Sequence, residues 1–169
     1  MTQLTRRHLT LGLLGTAAGC GVQTKEQAMA KSPDTSTIPD YEKWQFSNNE
    51  WKERLSPEAY AVLRKEATER PRTSPLNEEK RDGIYACAGC GYDLFKSDTK
   101  FESGTGWPSF WDYIPNALGT KTDIKLIIPR TEYHCARCGG HQGHVFKDGP
   151  EPTGLRYCNN GVALTFKPA

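Results

Sequence analysis

Cys87-Ala-Gly-Cys90 and Cys135-Ala-Arg-Cys138 decide how this chain folds, because two C-x-x-C pairs can supply four thiolates to one tetrahedral zinc ion. A glycine follows the second cysteine of each pair, at Gly91 and Gly139, and it permits the positive φ angles that tight metal-binding turns often use. A closed shell of four thiolates leaves no position for water or substrate. We therefore expect a structural zinc, one per chain, that joins two distant parts of the sequence.

Two alternatives to zinc stay open at this point. Each C-x-x-C pair can act as a redox dithiol, or the four cysteines can form two disulfides if the protein is exported. The zinc interpretation is preferred because two C-x-x-C pairs, each followed by glycine, form a specific signal for a zinc site.

Cys158 lies apart from both pairs, downstream of His141 and His144. Arg156 and Asn160 are each two residues away from Cys158, so in a strand all three side chains would face the same side. A neighbouring cation lowers the pKa of a thiol, and an imidazole can donate a proton. The cluster favours a reactive thiol, and the alternative is an inert buried cysteine.

The chain after Pro71 has the pattern of antiparallel β-structure. Short runs rich in β-forming residues alternate with Gly, Pro, Asn and Asp. No strand–helix alternation follows Pro71, which makes a doubly wound α/β fold an unlikely choice. The predicted strands are 83–86, 92–95, 125–128, 132–134, 143–146, 155–157 and 162–166.

Two short helices are expected before this β-region. Asn48 or Asn49 can cap the first helix. Ser56 followed by Pro57 is a strong start for the second, and Pro71 is expected to end it.

Residues 1–19 have the features of an export signal. Arg6 and Arg7 form a twin-arginine pattern before an apolar stretch, 9–18, which is shorter than the ~20 residues that span a bilayer. Ala17-Ala18-Gly19-Cys20 resembles a bacterial lipobox, in which Cys20 would carry the lipid. Cleavage without lipidation is the competing interpretation, because a lipobox usually has Leu where Ala17 stands.

These features predict an exported bacterial protein, either periplasmic or a membrane-anchored lipoprotein, with residues 20–44 as a flexible tether. Removal of residues 1–19 lowers the Lys and Arg count from 22 to 20, equal to the 20 Asp and Glu. A balanced charge argues against general binding to nucleic acid or to a membrane surface, so the membrane would be reached only through a lipid on Cys20.

Taken together, the motifs resemble the methionine sulfoxide reductase B family. The matching segments are 51–57, 87–90, 103–110, 135–146, 148–150, 152–154 and 156–160. The resemblance covers about residues 45–167 and implies a catalytic domain at 45–169. It implies a mainly β fold of two small antiparallel sheets with N-terminal helices, braced by the structural zinc and without an organic cofactor.

The resemblance also implies an activity. The enzyme would be an oxidoreductase that uses thiols to return methionine (R)-sulfoxide in proteins to methionine, through a sulfenic acid on Cys158. Its partners would be oxidised exported proteins and a thioredoxin-like reductant, and a monomer is expected.

The same resemblance assigns roles to residues of this chain. Cys158 would be the nucleophile, and Arg156 would support its thiolate. The polar set that orients and protonates the sulfoxide oxygen would be His141, His144 and Asn160. Substrate would bind against Trp107 and Phe146. The zinc ligands would be Cys87, Cys90, Cys135 and Cys138.

This chain departs from the family pattern at three positions. Thr105 stands where many members carry a resolving cysteine, so the usual internal disulfide with Cys158 cannot form and an external thiol is expected to reduce the sulfenic acid. Arg72 and Asn159 replace an aromatic and an apolar residue, and they concern the pocket rim and local packing.

Two other functions compete with this one. The protein could be a zinc-stabilised module that binds peptides without chemistry, in which Cys158 is incidental. It could also be a thiol–disulfide oxidoreductase that uses its C-x-x-C pairs.

Overall fold

The computed structural model describes residues 32–125 and 129–169. In this part of the chain two α-helices precede the strands, α1 at Asn48–Arg54 and α2 at Pro57–Lys65. The strands are β1 Gly83–Cys87, β2 Asp93–Lys96, β3 Lys100–Phe101, β4 Ser109–Phe110, β5 Leu118–Asp123, β6 Arg130–Cys135, β7 His141–Phe146, β8 Arg156–Asn159 and β9 Leu164–Pro168. Short 3-10 helices connect several of them, including Gly161–Ala163 before β9.

Helix α1 begins with a reciprocal cap. The Ser47 hydroxyl accepts from the backbone N–H of Glu50, and the Glu50 carboxylate accepts from the backbone N–H of Ser47 at 2.8 Å. The cap is therefore Ser47, and the choice of Asn48 or Asn49 was wrong by one or two positions. Such a cap stabilises a helix by about 1 kcal/mol. It matters here because a seven-residue helix has few hydrogen bonds of its own.

Helix α2 starts as predicted and ends earlier. The Ser56 hydroxyl accepts from the backbone N–H of Ala59 at 3.2 Å, with a proline in the first turn. The helix ends at Lys65 because Glu66 adopts the left-handed conformation, with φ of 57°. The chain is therefore no longer helical when it reaches Pro71.

The strands form two antiparallel sheets, as expected. One has three strands in the order β2-β1-β9, and the other has six in the order β3-β4-β8-β7-β6-β5. β8 is inserted between β4 and β7, which are far apart in sequence. This placement brings the segment after Arg156 into the middle of the larger sheet.

Strand β5 was not predicted. The predicted run 125–128 begins with Lys125 in a bend, and 126–128 lie outside the described residues. β5 reads Leu-Gly-Thr-Lys-Thr-Asp, in which Leu118 is the one large apolar residue, yet all six residues pair with β6. Pairing with a neighbour, rather than local propensity, makes this segment a strand.

Aromatic side chains from both sheets form the core. Phe95 of the smaller sheet stacks on Phe110 of the larger one, with ring centroids 4.2 Å apart. Tyr85 meets the same Phe110 ring at 4.9 Å, and Tyr133 meets Tyr157 at 5.3 Å. All five side chains are almost fully buried. Each such pair adds about 0.5–1.5 kcal/mol beyond the burial of its area, and the pairs of Phe95 and Tyr85 with Phe110 hold the two sheets together.

The described part of the predicted tether, residues 32–44, packs on the domain. The backbone N–H of Asp34 donates to Asn116 Oδ1 at 2.9 Å, and Asn116 Nδ2 donates back to the Asp34 carbonyl at 3.0 Å. Ile38 is buried. The predicted export signal 1–19, with Cys20, lies outside the described residues. Within the described ranges no helix is long and apolar enough to cross a membrane.

Candidate active site and metal centre

The four cysteines of the two C-x-x-C pairs lie together: Cys87, Cys90, Cys135 and Cys138. Their sulfur atoms all lie within 4.8 Å of one another, with Cys87 and Cys138 3.7 Å apart and Cys90 and Cys135 3.6 Å apart. A tetrahedral ion with metal–sulfur bonds of about 2.3 Å needs sulfurs ~3.8 Å apart, so the cluster could hold zinc. All four side chains are buried, and no disulfide links them.

Turns after β1 and β6 position these ligands. Gly91 and Gly139 have φ of 71° and 68°, in the left-handed region that the sequence analysis anticipated. Gln142 Nε2 lies 3.3 Å from the Cys87 sulfur and can donate a hydrogen bond to a thiolate. One pair comes from the three-stranded sheet and the other from the six-stranded sheet. An ion here would clamp the two sheets together.

Cys158 occupies the centre of the six-stranded sheet. Its Cα pairs with that of Ser109 in β4 on one side and with that of His144 in β7 on the other. The half-buried side chain lies at a pocket of about 120 Å³. The pocket is lined by Thr68, Trp107, Arg130, Gly143, His144, Phe146, Cys158, Asn159 and Asn160. Within the described residues, Cys158 is the cysteine outside the metal cluster.

Burial and neighbouring groups shift the pKa of Cys158 in opposite directions. Burial raises the pKa of the Cys158 thiol, and this effect exceeds the lowering by the Arg156 charge and by hydrogen bonds from Thr105 and Arg156. The neighbours chosen from the sequence therefore act in the expected direction without overcoming desolvation. The free protein holds the cysteine mainly as a thiol at neutral pH.

Arg156 lies beside the pocket and is fixed by an acid. Its Nε and Nη2 donate to the two carboxylate oxygens of Asp148 at 2.9 and 2.8 Å, and its guanidinium lies 4.4 Å from the Phe146 ring centroid. The hydrogen bonds that Arg156 donates to Asp148 raise the pKa of Arg156, which keeps the group cationic. The bidentate geometry holds a permanent charge near the thiol.

His144 faces the pocket and is oriented by Asp123. Its Nε2 lies 2.8 Å from Asp123 Oδ2, and Arg130 Nη2 donates to that same oxygen at 2.7 Å. The backbone N–H of Lys125 and the His144 ring hold the pKa of Asp123 well below its usual range, so Asp123 is an acceptor and Nε2 of His144 carries the proton. Burial lowers the pKa of His144, although Asp123 opposes this. The resting imidazole is neutral, with Nδ1 open to protonation.

His141 does not line the pocket. It is 2 % exposed, its ring centroid is 5.5 Å from that of His144, and its Nδ1 lies 3.0 Å from Glu132 Oε1 without hydrogen-bond alignment. A bulge between β6 and β7 brings the two imidazoles onto neighbouring positions. The His141 ring therefore contacts the His144 ring from the buried side.

Glu69 connects two predicted site residues. Its backbone carbonyl accepts from Trp107 Nε1 at 3.1 Å, and its backbone N–H donates to Asn160 Oδ1 at 3.0 Å. Asn160 Nδ2 donates to the Gln142 carbonyl at 2.9 Å. These bonds fix the indole and the amide at the pocket and leave Asn160 one N–H for a ligand.

Thr105 belongs to a hydroxyl network beside Cys158. Its Oγ1 lies 2.8 Å from the Ser103 hydroxyl, which lies 2.8 Å from the Ser109 hydroxyl. Arg72, the second departure from the pattern, adopts φ of 63° and donates its backbone N–H to the Gly106 carbonyl at 2.7 Å. Asn159, the third, is fully buried and accepts from the Tyr133 hydroxyl at 2.8 Å. A polar partner thus replaces the apolar packing expected at position 159.

Sequence reasoning missed Asp123, Arg130, Thr68 and Glu69. Asp123 precedes His144 by 21 residues, and only the pairing of β5, β6 and β7 brings them together. Asp123 and Arg130 are polar groups near predicted strand ends, and nothing in the local sequence marks Thr68 or Glu69.

Known proteins match this chain over most of its length. The SelR domain family matches residues 55–168. The peptide methionine sulfoxide reductase MsrB of Methanosarcina barkeri is 56% identical over 122 residues, which cover 72% of this chain and 86% of that protein. The chain belongs to the methionine sulfoxide reductase B family.

Relatives from other lineages agree. The MsrB of Bradyrhizobium diazoefficiens is 49% identical over 137 residues, covering 80% of this chain and 99% of that protein. The chloroplastic peptide methionine sulfoxide reductase B1 of Arabidopsis thaliana is 48% identical over 139 residues, covering 80% of this chain and 69% of its own. The SelR match includes the pocket and the four clustered cysteines, so the family assignment covers both sites.

Proposed function

We propose that this protein reduces methionine (R)-sulfoxide residues in proteins to methionine, with Cys158 as the nucleophile. One observation carries the proposal: Cys158, the non-cluster cysteine of the described residues, lies at a small pocket that also contains Trp107 and His144. The indole and Phe146 suit a thioether methyl group, and the imidazole and Asn160 suit the sulfoxide oxygen. The relatives in the family are named peptide methionine sulfoxide reductases, which agrees with this reaction.

The first step transfers oxygen from substrate to enzyme. The Cys158 sulfur donates an electron pair to the sulfoxide sulfur while the sulfoxide oxygen takes up a proton. The sulfur–oxygen bond of the substrate breaks and releases the oxygen as hydroxide. The hydroxide bonds to the Cys158 sulfur as the bond between the two sulfurs breaks, so methionine leaves and Cys158 becomes a sulfenic acid. Nδ1 of the neutral His144 takes the proton from the Cys158 thiol and passes it to the sulfoxide oxygen, and the Asp123 carboxylate stabilises the imidazolium formed between these two transfers. General-acid help of this kind typically gives ~10²–10⁴-fold in rate.

Recovery of the thiol requires an external dithiol. The first thiol displaces water from the sulfenic acid to form a mixed disulfide, and the second thiol releases Cys158 as a thiol and leaves as a disulfide. Thr105 cannot take the place of the first thiol. A thioredoxin-like donor supplies both electrons.

Zinc at the four-cysteine cluster has a structural role in this proposal. Cys87, Cys90, Cys135 and Cys138 would hold it, and the ion would supply a rigid link between the sheets. The sulfur spacing and the Gln142 contact support this identity.

The place of action is outside the cytoplasm. The twin-arginine pattern and the segment ending at Cys20 support export of a folded, metal-loaded protein, in either a released or a lipid-anchored form. Its substrates would be oxidised exported proteins, and the protein would act as a monomer.

Separated R and S forms of N-acetyl-methionine sulfoxide amide, with dithiothreitol, test the reaction. We expect reduction of the R form and none of the S form. Cys158→Ser should abolish turnover while it leaves the zinc content and the folded state unchanged. A matched Cys20→Ser variant should keep full activity.

Turnover of only the S form, or a fully active Cys158→Ser variant, would contradict the proposal. Mass spectrometry after substrate is added without reductant tests the intermediate. One added oxygen on Cys158 is expected, and a disulfide from Cys158 to Cys20 or to a cluster cysteine would rule out direct reduction by an external thiol.

A further inference from the structure

The Cys158 pocket is too small to accommodate the polypeptide that carries the oxidised residue. Its volume is about 120 Å³, whereas clefts that enclose whole small molecules have about 300–1,000 Å³. There is room for one side chain. The residues on either side of the methionine in a protein substrate must therefore lie on the neighbouring surface.

A much larger apolar groove begins beside that pocket. It has a volume of about 820 Å³ and runs between helix α2, the segment 67–76 and the start of β9. Its apolar lining includes Ala61, Val62, Ala67, Leu76, Val162 and Leu164. We call it the α2 groove.

The pocket and the α2 groove are adjacent. Thr68 lines both, and Asn160 of the pocket is followed directly by Gly161 and Val162 of the groove. Glu69 lines the groove while its carbonyl accepts from the Trp107 indole in the pocket. A chain whose side chain enters the pocket would pass over this segment.

The charges of the groove suit an uncharged ligand. The Glu69 carboxylate accepts the backbone N–H groups of Gly161 at 2.6 Å and Val162 at 2.9 Å, so it is engaged within the protein. Glu58 and Arg70 contribute opposite charges to the lining and are exposed. The groove therefore offers apolar surface without a dominant charge.

One wall of the groove offers backbone groups. Leu164 and Thr165 belong to β9, which pairs with β1 on one side and with no other strand of the described chain. An edge strand can accept an extended peptide through main-chain hydrogen bonds, with side chains entering adjacent apolar surface.

We propose that the α2 groove binds the residues flanking an oxidised methionine, so that the enzyme prefers extended chains with apolar neighbours. This inference rests on the proposed reductase function. The occupant is an unfolded or extended segment of the substrate, since a folded surface does not present consecutive apolar residues to a groove.

The KM values of two peptides and a single-residue substrate test whether the α2 groove binds the flanking residues. The first peptide carries Leu and Val on both sides of methionine (R)-sulfoxide, the second carries Ser there, and the third substrate is N-acetyl-methionine (R)-sulfoxide amide. We expect the apolar peptide to have a KM at least about tenfold below that of the Ser peptide, the scale set by one or two apolar contacts.

Ala61→Arg and Val162→Arg place a charged chain at the half-buried edges of the groove. Each should remove the advantage of the apolar peptide while turnover of the single-residue substrate stays unchanged. Thr122→Arg, an exposed position outside both cavities, is the control and should change neither.

Equal KM values for the two peptides, or variants that keep the advantage, would overturn the groove proposal and leave the reductase function standing. Failure of the wild type on the single-residue substrate would instead overturn the reductase function. If Ala61→Arg changes the sedimentation coefficient of the protein but not the peptide KM, the groove joins two copies of the chain, and the proposal is wrong.

Discussion

Asp123 Oδ2 lies 2.8 Å from Nε2 of His144, across a strand that separates the two in the sheet. The carboxylate is 5 % exposed and also holds Arg130, which lines the same pocket. Asp123 therefore fixes the orientation of the His144 ring, which lines the same pocket as Cys158. It leaves Nδ1 as the position that gains and loses a proton.

Asp123→Asn should reduce kcat by about 10²-fold, the lower end of what general acid–base catalysis contributes. An amide cannot stabilise the imidazolium, so His144 would deliver its proton less readily. The kcat profile should be measured against pH, because loss of the acid moves the His144 limb to lower pH. Asp93→Asn removes an exposed partner of Lys167 and is the control. An unchanged kcat would show that His144 acts without the carboxylate.

The pH dependence of Cys158 reactivity follows from its environment. Because burial raises the pKa of this thiol, the thiolate fraction at a given pH is smaller than for a free cysteine and grows as pH rises. The rate of alkylation by iodoacetamide should therefore continue to rise with pH beyond about 8.5, the ordinary pKa of a thiol. Peptide mass spectrometry of the Cys158 fragment measures this rate. A midpoint near neutrality would contradict the dominance of burial.

Arg156→Met should move the alkylation midpoint to still higher pH. The substitution keeps an unbranched side chain and removes a cation whose charge and hydrogen bond lower the Cys158 pKa. Lys147→Met removes an exposed cation on the neighbouring strand segment and should have no effect. A fall of the midpoint in Arg156→Met would mean that the guanidinium does not favour the thiolate.

Thr105→Cys should create an internal route for reduction of Cys158. Thr105 is close enough to Cys158 to lower the pKa of its thiol, so a thiol at position 105 would attack the sulfenic acid and form a disulfide with loss of water. After one turnover without reductant, the variant should lose two titratable thiols and the wild type one. Thr122→Cys, exposed on β5, should behave like the wild type. No disulfide in Thr105→Cys would exclude direct contact between the two positions.

Cys90→Ser should release zinc and lower the unfolding temperature by about 10 °C or more. The ion would join the two sheets, and each kcal/mol lost lowers the unfolding temperature by about 2–4 °C in a domain near this size. Metal analysis and calorimetry measure both effects. Cys158→Ser makes the same chemical change outside the cluster and should alter neither. Retained zinc and stability in Cys90→Ser would remove the structural role.

The local motifs were the most predictable part of the molecule. A metal-binding C-x-x-C turn often needs a positive φ at the glycine that follows it, and Gly91 and Gly139 both have positive φ. The cap at Ser56 depends on the next three residues and was also correct. Strand β5 could not be found this way, because it has one large apolar residue and is ordered by pairing with β6.

The chemical inventory of the protein follows from its sequence alone: four paired thiols, Cys20 near the N-terminus, and Cys158 with the histidines, arginine and asparagine near it. Tertiary structure alone decided which of these meet. It brought Asp123 to His144, moved His141 out of the pocket lining, and let burial exceed the effect of Arg156 on the Cys158 pKa. The physical reason is that hydrogen bonds and desolvation depend on distances between strands. Those distances are set by sheet order and by packing across the core, and residue spacing along the chain does not encode them.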